Sequence, residues 1–153
     1  MMATKSPSSG FTLVELMVTL AVLVILAAIA APNFARIIAE NRATSAANEF
    51  LGMLQTARSE AVRLNRLVTV EQSGANWHSG IAVVGPDNNV LRSMPAMAQE
   101  LTFTSGPAAP MAFRPAGDIA ARAEFQLDNA GGSDRWICVE MTGSARVARE
   151  ACE

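Results

Sequence analysis

The chain has 153 residues, half of them hydrophobic, with 12 basic and 14 acidic side chains and a formal charge of −2. A globally acidic chain has no general attraction for a polyanion, so a nucleic-acid role would need a local basic patch. Two cysteines and a lone histidine at no metal-ligand spacing argue against a zinc centre. No Gly-rich phosphate loop and no Ser or Cys with His and a carboxylate suggests catalysis, so no catalytic, cofactor or metal residue is assigned and no small-molecule substrate is expected.

Residues 1–10 form a polar leader whose only charged side chain is Lys5. From Phe11 to Ala31 the chain is apolar apart from Thr12, Glu15 and Thr19. At 1.5 Å per residue this run is just long enough to cross about 30 Å of hydrocarbon as a helix. Glu15 is the anomaly within it. A charged side chain deep in hydrocarbon costs at least ~2.5 kcal/mol, so Glu15 needs protonation or a partner. No Lys, Arg or His lies between Phe11 and Ala31. The closest positive group available in principle is the α-amino group made by cutting the chain before Phe11. A secretory signal peptide is one rival reading, with Lys5 as its basic region and Ala28-Ile29-Ala30 as its cleavage site. A simple membrane anchor is another, and it leaves Glu15 without a reason. Lys5 marks the side that stays cytoplasmic, which puts the rest of the chain outside.

Lys5, Gly10, Phe11, Glu15 and Pro32 together resemble the N-terminus of type IV pilins and pseudopilins. The resemblance implies cleavage after Gly10 by a prepilin peptidase and methylation of the new Phe11 amine. It further implies that Glu15 pairs with the N-terminal amine of a neighbouring subunit during filament assembly. Cleavage removes Lys5, leaving 11 basic and 14 acidic side chains, a formal −3 before termini are counted.

Beyond Pro32 the helical pattern continues. Phe50, Leu54, Ala57, Ala61 and Leu64 recur at alternating spacings of four and three, leaving Arg58, Glu60 and Arg63 toward water. Pro32 removes one backbone donor and should kink or loosen the helix locally. One long helix from Phe11 to about Asn65 is therefore expected, its first half a membrane and filament stalk and its second half packed under a head. Glu60 and Arg63 read as a solvated pair.

From Leu67 the period changes to alternation, and short apolar runs are divided by turn signals at Gly74-Ala75-Asn76, 85–89, Ser105-Gly106-Pro107, 115–118 and 131–134. Segments 136–141 and 145–148 read as a closing hairpin across Thr142-Gly143-Ser144. The predicted fold class is α+β, a long N-terminal helix packed on a C-terminal antiparallel β-sheet head or small sandwich. The expected divisions are leader 1–10, transmembrane and filament-core helix 11–32, amphipathic helix 33–65 and β-rich head 66–153. Trp77 and Trp136 are expected in the core, since large aromatics supply buried area. His78 is read as surface, and Asp128 and Asp134 as turn residues beside Gly131-Gly132.

The 58–63 segment, the Trp77 to Val84 stretch with Asp87, the Phe113 to Gly117 segment and a C-terminal strand running into Gly143 resemble a narrower group. This is the FimT/FimU and GspH family of minor pilins and pseudopilins. That resemblance implies a non-enzymatic subunit sitting near a filament tip, where it primes assembly or adapts the tip to the shaft. The partners implied are other pilin subunits, a prepilin peptidase and the inner membrane, with the head in the periplasm before the chain enters a pilus or pseudopilus.

Export places Cys138 and Cys152 in an oxidising compartment, where a disulfide is the default and free thiols the alternative. FimT-like DNA binders carry a Gly-Arg-x-Arg pattern near the C-terminus. Here Gly143 is followed by Ser144, so the pattern is incomplete. Arg146 and Arg149, with Arg135, remain candidates for weak, salt-sensitive phosphate contacts opposed by Glu150 and Glu153. DNA therefore stands as a lesser alternative to a solvated hairpin end, and a GspH-like subunit of a type II secretion system as the alternative to a pilus subunit.

Overall fold

The computed structural model describes residues 11–108 and 110–153, so Lys5 and Gly10 lie outside the described residues. The chain divides into two compact units, Met1–Ala35 and Arg36–Glu153. One helix, α1 (Leu13–Leu64), is assigned without interruption across Pro32. In the first unit the apolar side chains find no partners. Leu13 is 74% exposed and Leu23, Val24, Ile25 and Leu26 are each above 60%. The polar side chains there turn back on the helix: Thr19 Oγ1 donates to the Leu16 carbonyl at 2.8 Å and Asn33 Nδ2 to the Ile29 carbonyl at 3.2 Å. An apolar surface of this extent is stable in water only if lipid or other helices cover it.

In the second unit the remainder of α1 is amphipathic. Ala43, Ala47, Phe50, Met53, Leu54, Ala57 and Ala61 are buried, a stripe at steps of three and four that extends the expected one toward the N-terminus. Its alanines leave room for strands to approach, and Phe50 supplies the bulk. The helix ends at Asn65, whose φ of 51° is tolerated by its short polar side chain, with Arg66 N–H donating back to the Ala61 carbonyl at 3.2 Å.

Eight strands follow: β1 (Val68–Gln72), β2 (Ile81–Val84), β3 (Val90–Met94), β4 (Leu101–Ser105), β5 (Met111–Phe113), β6 (Ala123–Asn129), β7 (Arg135–Val139) and β8 (Ala145–Ala148). They form two four-stranded antiparallel sheets, ordered β3-β2-β1-β5 and β4-β6-β7-β8. A single turn of 3₁₀ helix, Trp77–Ser79, precedes β2 and is capped by Asn76, whose side chain accepts from the Ser79 N–H. Alternation is strict in β6, where Ala123, Phe125, Leu127 and Asn129 point inward.

The core is centred on aromatics from three sources. Phe125 meets Phe50 of the helix at 4.8 Å and Trp77 at 5.0 Å between ring centroids, both edge to face, and Phe103 of β4 lies 5.4 Å from Phe50. Trp77 is core as expected, and its Nε1 donates to the Pro107 carbonyl at 3.1 Å. Trp136 is not. It sits half-buried on the outer face of the second sheet, opposite Gln126 and Ala148, because its neighbours Arg135 and Ile137 take the inward parity. His78 is likewise half-buried rather than on the open surface, with its Nδ1 enclosed and unpartnered.

Candidate functional site

The start of α1 is set by Thr12. Its hydroxyl accepts from the Glu15 N–H at 3.2 Å, and its carbonyl accepts from Leu16 N–H at 3.1 Å, the arrangement of an N-cap. Thr12 and Glu15 thus stand at capping-box spacing, a signal carried by the sequence independently of charge. Glu15 gains from the helix dipole in this first turn. Its carboxylate nevertheless forms no hydrogen bond or ion pair among the described residues, and the side chain is exposed. Phe11 is 73% exposed. Among the described residues the first unit therefore presents a carboxylate without a partner, an exposed aromatic and an uncovered apolar surface.

In the second unit three segments singled out in the sequence meet. Arg58 Nε donates to the Gly117 carbonyl and Nη2 to the Thr142 carbonyl, each at 3.0 Å. The turn after β5 is closed by Gly117 N–H donating to Arg114 O at 2.8 Å, and the β7–β8 turn by Gly143 N–H donating to Glu140 O at 2.8 Å. Both glycines have positive φ, 79° and 76°. The two turns touch backbone to backbone, since a Cβ on Gly143 would lie 1.8 Å from Gly117 O. Ile119 N–H also donates to Met141 O at 3.0 Å, so the ends of two sheets with no strand in common are stitched together here. Beside this junction Arg63 is paired with Glu60 at 2.6 Å, as expected, and its pKa is raised by that hydrogen bond and the adjacent charge.

The three arginines considered for phosphate binding are separated in role. Arg135 is 5% exposed, and its guanidinium donates to the Ser133 and Asp134 carbonyls at 2.9 Å and to Thr44 Oγ1 at 3.2 Å. It fixes the β6–β7 loop to the helix and is unavailable to a ligand, which corrects the expectation for that residue. Arg146 and Arg149 are exposed. Asp134 accepts from Gln126 Nε2 and from Asn129 N–H, the turn role expected of it. Cys138 and Cys152 are bonded, with Cα atoms 5.7 Å apart. Cys138 faces outward between Glu124 and Arg146 yet is 1% exposed, because the C-terminal tail is held over it. Arg122 steadies that tail by contacting both Glu140 and the Glu153 carbonyl. The described residues contain no group of His, Cys, Asp and Glu able to hold a metal.

Residues 46–144 match the family described as Type II transport protein GspH. The chain belongs to this family. A second match, the prokaryotic N-terminal methylation motif, covers residues 5–31 and so includes Gly10, Phe11 and Glu15. No curated protein sequence matches the chain. Among solved structures, the Pseudomonas aeruginosa type IV minor pilin FimU superposes with a TM-score of 0.64 at 23% identity, over 74% of this chain and 95% of that one. The minor pseudopilin EpsH from the type II secretion system of Vibrio cholerae gives a TM-score of 0.53 at 14% identity, over 71% and 97%. These two likenesses establish the pilin-like fold, a long helix against antiparallel sheets. The family match and the fold agree: the chain is a GspH-family protein with a pilin-like architecture. Arg58, Gly117 and Gly143 all fall inside the region that matches the GspH family.

Proposed function

We propose that this GspH-family chain is a minor type IV pilin that is anchored in the inner membrane by its apolar helix and then built into a pilus near the tip. There it primes assembly or adapts the tip to the shaft. The single observation that carries the reading is the Glu15 carboxylate, without a partner among the described residues, at the head of an apolar helix that buries none of its most apolar stretch. A prepilin peptidase cuts after Gly10, Phe11 is methylated, and the Glu15 anion of one subunit meets the Phe11 amine of the next as the helices bundle. Pairing the two charges offsets part of the cost that either bears alone in hydrocarbon. The head, carried outside by the retention of Lys5 on the cytoplasmic side, travels with the subunit to the cell surface.

The test is replacement of Glu15 by Ala, followed by quantifying the chain in sheared filaments and in the membrane fraction. The expected result is an unchanged membrane level with reduced incorporation; equal incorporation would overturn the reading. The GspH description supports a second reading, a minor pseudopilin of a type II secretion system. Deleting the chain separates the two: loss of surface pili supports the first, and loss of secreted protein with intact pili the second.

A further inference from the structure

The junction that Arg58 makes opens on one side into a cavity of about 490 Å³, lined by Gln55, Arg58, Ser59, Val62, Arg63 and Ala116. Its charges are not balanced. Arg63 is neutralised by Glu60, whereas both hydrogen-bond partners of Arg58 are neutral carbonyls, and it forms no ion pair among the described residues. Arg58 Nη1 has no hydrogen-bond partner among the described residues, and Arg58 and Gln55 are both exposed where they line the opening. Ser59 spends its proton on the Thr56 carbonyl at 2.9 Å. The lining also has an apolar part, with Val62 53% exposed and Ala116 also exposed.

We propose that this cavity is a docking site for a carboxylate-bearing segment of a partner protein, with the Arg58 guanidinium as anchor and Val62 and Ala116 as the apolar wall. A guanidinium already oriented by two carbonyls loses little freedom on meeting a carboxylate. A nucleic-acid backbone fits poorly, since tracking phosphates takes several cations and this cavity has one uncompensated charge in an acidic chain. A lone anchor beside an apolar wall suits an Asp or Glu next to a hydrophobic residue. That the occupant is a neighbouring filament subunit rests on the assembly reading; that a carboxylate segment binds does not.

The experiment uses the full chain dispersed in nonionic micelles, with the Arg58 Nε–H signal followed by NMR. N-acetyl-Glu-Leu-amide is the probe, N-acetyl-Gln-Leu-amide and inorganic phosphate the comparisons. Replacing Arg58 itself risks the junction, so the variants are Ala116→Glu and Ala116→Gln. A carboxylate tethered at position 116 has an effective concentration on the order of mM and competes with a weak probe. The expected result is a saturable shift with the Glu probe alone, weakened about twofold or more in Ala116→Glu and unmoved in Ala116→Gln. No shift, equal weakening by both variants, or an equal shift with phosphate would each overturn the proposal. Because no filament is needed, failure to bind and failure to be incorporated are read separately.

Discussion

A methyl group added to Gly143 would sit 1.8 Å from the Gly117 carbonyl oxygen, on a residue whose φ of 76° side chains rarely adopt. Both the clash and the strain act on backbone, so neither is relieved by a rotamer change. Gly143→Ala is expected to cost ~3 kcal/mol or more, read as a lower midpoint in denaturant for the full chain in micelles. Gly52 is the contrast. It lies inside α1, and an added methyl would meet only the Arg92 guanidinium, at 3.8 and 3.9 Å, so Gly52→Ala is expected to stabilise by up to ~1 kcal/mol. At Arg135, truncation to Ala leaves two carbonyls and the Thr44 hydroxyl short of a donor, and should cost ~2 kcal/mol in the same assay. The burial of Arg135 was written in the parity it shares with Ile137 and Val139, and so was the outward place of Trp136. The junction itself was not legible: three segments were visible as separate patterns, and only folding brings Gly117 against Gly143.

Element by element, the sequence pattern carried most of the architecture. The long helix and the strands appear where hydrophobic period and turn residues put them, because both are local properties of the chain. The ordering of eight strands into two sheets is a matter of non-local pairing and had no local signature. β7 shows how the tail is secured to this framework: its Cys138 is the outward residue that the tail covers through Cys152. With the two cysteines 14 positions apart along the chain, loop closure predicts about 3 kcal/mol of stabilisation. Reductant should therefore lower the melting temperature of the parent chain and leave that of the Cys138→Ser, Cys152→Ser double variant unmoved. A parent chain indifferent to reductant would mean that the strands hold the tail unaided.

At the scale of the whole molecule, the proposed processing is what separates the two readings of the apolar run. N-terminal sequencing of the mature chain is expected to begin at methylated Phe11; a start at Ala31 would instead make the apolar run a secretory signal. Of the proposed assembly residues, Glu15 and Phe11 were the most legible, since an anion in an apolar run stands out in one dimension. Thr12 is less legible, because its hydroxyl acts on a backbone N–H three residues on and leaves no mark in the charge pattern.

The helix from Leu13 onward buries none of its own surface in its most apolar stretch, whereas every buried residue of the core belongs to Arg36–Glu153. A melting curve of this chain therefore reports on one unit only. Substitutions between Phe11 and Ala31 should be silent in it however severely they damage assembly, and head substitutions should move it while membrane insertion proceeds unchanged. Two populations of defective variants follow, one seen by calorimetry and the other by filament content alone.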